Sequence, residues 1–169
     1  MPLPRAQSPK PNVSAYIDGL RMLGRRELSE KQVRDRLLRK GHQEGEVNAA
    51  IERLRASRAI DDARVAEAIA HTATAVHRRG RLRVKRQIEQ AGIAPATARQ
   101  ALDNVFEAID DEELMQAALA KRLRGRERIA DEAEFRRLFR HLIGQGFEPD
   151  RVLAALKRRR AARSLKPEA

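Results

Sequence analysis

Apolar and polar residues alternate along this chain in one arrangement that is repeated three times. With Gly41, Gly92 and Gly146 superimposed, Val33, Val84 and Leu138 stand eight residues before the glycine, and Leu37, Ile88 and Leu142 stand four before. Six residues after it come Val47, Ala98 and Val152; nine after, Ala50, Ala101 and Ala155; ten after, Ile51, Leu102 and Leu156. Apolar residues four apart form one stripe of an α-helix. The stripe stops at the glycine, the position past a helix end that takes a left-handed backbone most cheaply when it lacks a Cβ. Ile93 and Phe147 follow as the apolar contact that accompanies such a stop, and Pro95 and Pro149 suit the first turn of the next helix. A helix–glycine–helix module with a period near fifty residues predicts an all-α array of three tandem three-helix, helix-turn-helix-like repeats, nine helices stacked into an elongated solenoid.

The remaining elements are placed by caps and shorter stripes. Residues 1–12, with Pro2, Pro4, Pro9 and Pro11, read as a disordered lead. The first repeat spans 13–59. Its first helix, Ala15 to about Gly24, carries Ile17, Leu20 and Leu23 on one side. Ser29 with Gln32 forms a capping box for a helix to Lys40, and a third runs from about Glu46 to Ser57. The second repeat spans 60–109. Asp61 and Asp62 offer an N-cap for a helix of about Ala63–His77 with the stripe Val65, Ile69 and Val76; helices follow at Leu82–Ala91 and Pro95–Ala108. The third repeat spans 110–160. Acids at Glu112 and Glu113 open a helix to Leu123 carrying Leu114, Ala118 and Leu119; Asp131 with Glu134 caps a helix to about Gln145, and the last runs from Pro149 into Arg158–Arg160. Residues 161–169 read as a frayed tail.

Composition narrows the function. The chain has no Cys or Trp, 3% aromatic and 36% charged residues, so its cores are aliphatic and disulfides and thiolate metal sites are excluded. No apolar run reaches membrane-spanning length and no secretory leader is present, so a cytoplasmic location is expected. The net charge of +12 points to a polyanionic partner.

Few residue groups suggest catalysis. His42, His71, His77 and His141 are scattered and read as solvent-facing; Asp61-Asp62 fits a helix cap; no phosphate-cradling or nucleophile-elbow motif occurs. An enzyme, a cofactor and a metal are therefore not expected. The basic clusters remain. Arg78, Arg79, Arg81, Arg83, Lys85 and Arg86 lie within nine residues without an acid. Arg34, Arg36, Arg39 and Lys40 flank the first stripe, and Lys121, Arg122, Arg124, Arg126 and Arg128 surround the first loop of the third repeat. Asp103 to Glu113 is an acidic belt. One charge run is ordinarily a solvated helix face, but recurrence along an array predicts a broken basic track for a long anionic partner. Phe106, Phe135, Phe139 and Phe147 fall on apolar positions and read as core, so phosphate contact is favoured over base stacking.

Three segments in this order, LSEKQVRDRLLRKG (28–41), AIDDARVAEAIA (59–70) leading into RRGRLRVKRQIEQAGI (78–93), and FRHLIGQGF (139–147), resemble the RecX family of bacterial recombinase modulators. The family usually places aromatics where this chain has Val65 and Ile69, which read here as aliphatic repacking of a buried stripe. The resemblance implies a non-enzymatic, all-helical protein that binds the RecA recombinase and its filament on single-stranded DNA. It further implies dampening of the ATPase, strand-exchange and coprotease functions in DNA repair and the SOS response. The expected state is a monomer, with the fourteen basic residues named above, Lys121 aside, contacting filament or phosphates. The alternative is an autonomous helix-turn-helix DNA-binding protein, against which stands the lack of an exposed base-reading set on the second helices.

Overall fold

The computed structural model describes residues 14–161; the proline-rich lead and the frayed tail expected at the termini lie outside the described residues, except that the last helix includes Ala161. Nine helices and no strands occur among the described residues. They are α1 (Ala15–Leu23), α2 (Glu30–Arg39), α3 (Glu44–Ala56), α4 (Asp62–Ala75), α5 (Arg81–Gln90), α6 (Pro95–Glu107), α7 (Asp111–Leu123), α8 (Glu132–Gln145) and α9 (Pro149–Ala161). All fifteen residues of the repeated apolar pattern are buried, none more than 4% exposed. Gly41, Gly92 and Gly146 all have positive φ, as the pattern requires. After α2 and α8 the chain closes the same way. Gly41 N–H donates to Leu38 O and His42 N–H to Leu37 O; Gly146 N–H donates to Ile143 O and Phe147 N–H to Leu142 O. The residue of the stripe four before the glycine thus supplies the carbonyl that the turn satisfies, so core and helix stop are specified together.

The chain divides into two compact units, residues up to Asp61 and from Asp62 onward. In the first, α1–α3 enclose a core of Leu28, Val33, Leu37, Val47, Ala50, Ile51 and Leu54. The capping box of Ser29 and Gln32 forms. The stripe expected on α1 is turned. Ile17 is 40% exposed, and the buried residues are Ala15, Asp18 and Gly19. The cause is close helix packing: a Cβ on Gly19 would lie 2.7 Å from Leu54 Cδ1. Ala15 and Gly19, four apart, make the flat strip against which α3 lies, and large residues are pushed to its margins.

The second unit holds two cores. Helices α4–α6 surround Val65, Ala66, Ala70, Val84, Ile88, Leu102, Val105 and Phe106; helices α7–α9 surround Met115, Leu119, Leu123, Leu138, Leu142, Val152 and Leu156. Leu114 packs against both. Val65 is buried and Ile69 partly so, consistent with aliphatic repacking, but Val76 is 60% exposed because α4 ends at Ala75 and the chain turns. Phe106 and Phe147 are buried, while Phe135 and Phe139 are half-buried against the third core.

The two cores are joined through backbone. Gly80, the residue before α5, donates its N–H to Gln145 O at 2.9 Å, and Leu82 N–H donates to Gly146 O at 3.1 Å. The Arg83 guanidinium donates through Nη1 to Gly144 O at 2.9 Å. Carbonyls left over at the end of α8 are therefore satisfied by donors left over at the start of α5, positive dipole end against negative. Only glycine permits this approach: a Cβ on Gly80 would lie 2.5 Å from Gly146 O, and one on Gly146 would overlap the backbone of Arg83.

Gly146 and Gly125 separate two costs. Both have positive φ, but a Cβ at Gly125 meets nothing within 4 Å. Gly125→Ala is expected to cost only the backbone penalty, about 1–2 kcal/mol. Gly146→Ala adds overpacking of about 1–3 kcal/mol more. Urea unfolding of both variants checks the order; equal losses would show that the junction yields without cost.

Candidate anion-binding cleft

The structure sorts the basic residues into those held within the chain and those left facing solvent. In the 78–86 cluster, Arg81 pairs with Asp103 on α6 and lies over the Phe106 ring at 5.5 Å. Arg83 is tied to α8 as described, and Lys85 reaches Glu89 at 3.8 Å. Arg86 Nε donates to Leu82 O on its own helix. Arg78 and Arg79 form no ion pair among the described residues. In the first unit, Arg34 donates to Asn48 Oδ1 at 2.5 Å, with Glu30 at 4.0 Å, and Arg39 donates to Asp35 O. Arg36, Arg39 and Lys40 line a shallow hollow beside Met22. In the third repeat, Arg126 makes a bidentate pair with Glu134, with Nη2–Oε1 at 2.5 Å, and the Arg126 hydrogen bond first, then one from Ala130 N–H, lowers the Glu134 pKa. Arg128 is exposed.

Part of the acidic belt is held within the chain in the same way. Asp110 caps α7, accepting from Glu112 and Glu113 N–H. Asp111 faces Arg151 at 3.7 Å, and Glu112 meets Arg158 at 2.5 Å.

Four of the remaining cations converge. A cleft of about 330 Å³ in the second unit is lined by His77 and Arg78 after α4, Lys121 and Arg122 at the end of α7, Arg124 beyond it, and His141 on α8. No carboxylate among the described residues lines it. None of Arg78, Lys121, Arg122 and Arg124 forms an ion pair among the described residues. Arg122 and Arg124 also line the adjoining hollow with Arg126 and Arg137, whose one acid, Glu134, is already paired. Burial, and then the charge of Arg122, lowers the His141 pKa. Arg78 thus joins Arg122 and Arg124, forty-odd residues later in the chain, while Arg81 and Arg83 from its own cluster turn elsewhere.

The first unit holds a group that charge runs and periodicity did not suggest. Asp18 is 2% exposed, Lys40 Nζ lies 2.5 Å from its Oδ1, and His42 Nε2 lies 2.9 Å from its Oδ2. The His42 side chain is 10% exposed, so it is not solvent-facing as expected; the turn at Gly41 folds it back onto α1. The only sequence signal was an acid within α1 beside Gly19 and three residues after Ala15.

With this geometry in place, comparison with known proteins is decisive. Residues 15–54 match the model of the RecX first three-helix domain, and residues 61–102 that of the second. The regulatory protein RecX of Syntrophotalea carbinolica is 30% identical over 138 residues, covering 81% of this chain and 90% of that one. That of Halorhodospira halophila is 33% identical over 138 residues, covering 80% and 82%. The chain belongs to the RecX family. The crystal structure of RecX from Lactobacillus salivarius has the same fold, with a TM-score of 0.67 at 20% identity over 85% of this chain and 93% of that one. RecX proteins of this kind are regulatory, and no helix among the described residues is long and apolar enough to cross a membrane.

The Asp18 pairing carries a pH signature. The Lys40 hydrogen bond, then that of His42, holds the Asp18 carboxyl below its ordinary value against the opposing effect of burial. A carboxyl lowered by folding contributes stability that is complete above its unfolded pKa and lost as pH falls through the folded one. The first unit should therefore lose stability from about pH 4 downward. Because Lys40 is half-exposed, Asp18→Asn should cost about 1–2 kcal/mol at neutral pH and flatten the acid limb. Unfolding monitored between pH 2 and 7 tests both; an unchanged acid limb would remove Asp18 from the account.

Proposed function

We propose that this chain is a non-enzymatic regulator that binds the RecA filament on single-stranded DNA and lowers its ATPase, strand-exchange and coprotease activities. Membership of the RecX family supports the reading, and the observation that carries it is the acid-free cleft of Arg78, Lys121, Arg122 and Arg124. Cations that a fold gathers in one cleft without a carboxylate partner are set toward an external anion. Phosphates along a strand, or an acidic protein surface repeated along a filament, supply such anions at regular spacing. By linkage, the filament state the protein binds more tightly becomes more populated, and preference for a state that does not turn over ATP gives inhibition. DNA repair and the SOS response are the setting in which such a regulator acts, and the cytoplasm is where it meets the filament.

The test is RecA ATPase on single-stranded DNA with and without this protein, at low and moderate salt. Suppression that weakens as salt rises is expected. Arg122→Glu with Arg124→Glu should relieve most of it and lower the salt slope of binding by roughly one to two. Full inhibition by the double variant would remove the cleft from the interface. Tight sequence-selective binding of duplex without RecA would favour an autonomous DNA-binding protein instead.

A further inference from the structure

We infer that the cleft between the end of α4, the end of α7 and α8 is a discrete site for one phosphate group, with Arg78, Arg122 and Arg124 as its ligands and His141 as a proton-linked fourth. This deepens the filament reading by naming the ligand of the same cleft; it rests on that reading only for the cleft being the working surface.

Four observations carry the inference. The cleft is concave rather than a flat charged face, and its volume of about 330 Å³ sits at the small end of ligand pockets, roughly 300–1,000 Å³. Its cations come from separate parts of the chain, so the charge is assembled by the fold and not by one basic run. Guanidinium groups present planar forks of donors that match the oxygens of phosphate. Two of the three non-glycine residues at positive φ among the described residues, Arg78 (φ 50) and Arg124 (φ 52), line it. Apart from Arg58, the other described residues at this backbone conformation are glycines, including Gly125 next to Arg124. Arginine there accepts strain to place a guanidinium.

His141 adds a consequence a flat basic patch would lack. Burial and Arg122 disfavour its charged form, and the groups facing it from the other walls are His77, Arg78, Lys121, Arg122 and Arg124, none of them acidic. An oxyanion on Arg122 reverses that balance, so binding takes up a proton at His141. Affinity then rises as pH falls through the histidine range.

Binding is measured on the full chain alone, with sulfate as the probe because its charge is constant across that range, and then with short oligonucleotides. Saturable sulfate binding is expected, tightening by up to about tenfold for each unit by which the bound anion raises the His141 pKa. His141→Gln should keep binding and flatten its pH dependence. Arg124→Gly is the discriminating variant: it retains the left-handed turn, so it should unfold at no lower a temperature, yet bind sulfate about tenfold more weakly. A preference for 5′-phosphorylated over 5′-hydroxyl oligonucleotide would support the site as one for strand ends; equal binding would support it as one for internal phosphodiesters. No saturable sulfate binding, or unchanged binding by Arg124→Gly, overturns the site. Lost sulfate binding with RecA inhibition intact would sink this inference alone; sulfate binding without any effect on RecA would sink the filament reading alone.

Discussion

The arrangement of the second unit depends on one backbone contact, the end of α8 laid against the start of α5. Each helix terminus has polar groups that its own ladder cannot satisfy. Gly80 has no side chain with which to cap α5, and the C-terminal carbonyls of α8 need donors; the two deficits cancel through bonds from Gly80 and Leu82 to Gln145 and Gly146. Because these are backbone bonds flanking the close approach of Gly80 to Gly146, no side chain as large as a methyl group fits between the two segments. Side-chain packing alone, as at Leu114, could slide; this contact leaves no such freedom. Arg78 lies two residues before Gly80, and His141 lies one turn before Gln145. The junction that joins the two cores therefore also sets the walls of the cleft.

Charge is distributed around that frame by pairing. An excess of +12 does not by itself say where the free cations are. Asp103 takes Arg81, Asp111 and Glu112 face Arg151 and Arg158, Glu132 takes Arg136 and Arg160, and Glu134 takes Arg126. Three acids of the belt from Asp103 to Glu113 thus complement α5 and α9. Such exposed pairs add little stability each. Their effect is to decide which arginines are spoken for, and those lining the cleft are among the ones the acids do not reach.

Most of the fold was legible because the repeat reports local facts. A stripe at −8 and −4, a glycine, and a second stripe at +6, +9 and +10 fix two helices and the turn between them, and each of those positions is buried. The first helices were read less well. On α1 the buried face is Ala15, Asp18 and Gly19, where smallness, not hydrophobicity, admits Leu54; hydropathy pointed to Ile17 instead. The candidate site was the least legible part. Proximity along the chain grouped Arg78 with Arg81 and Arg83, but successive helix residues point about 100° apart, and the turn at Arg78 redirects the chain once more. Nothing in a stripe pattern states that Gly80 touches Gly146, a pairing sixty-six residues apart that lays the start of α5 against the end of α8. The burial of His42 was hidden for the same reason, since its partner lies on another helix.

A cluster of unpaired cations should repel itself, and the fold has to tolerate it when empty. The position of the cleft explains how. Lys121 and Arg122 stand in the last turn of α7, and Arg78 follows the end of α4, so the negative ends of helix dipoles face the cations. That attraction is partial and spread over several carbonyls; it lowers the cost of assembling the charges without supplying a discrete counter-ion that would have to be displaced. A carboxylate placed there would stabilise the free protein more and close the site to any other anion. Helix termini do the first without the second, which is the electrostatic condition for a cleft that is stable when empty and still attractive to phosphate.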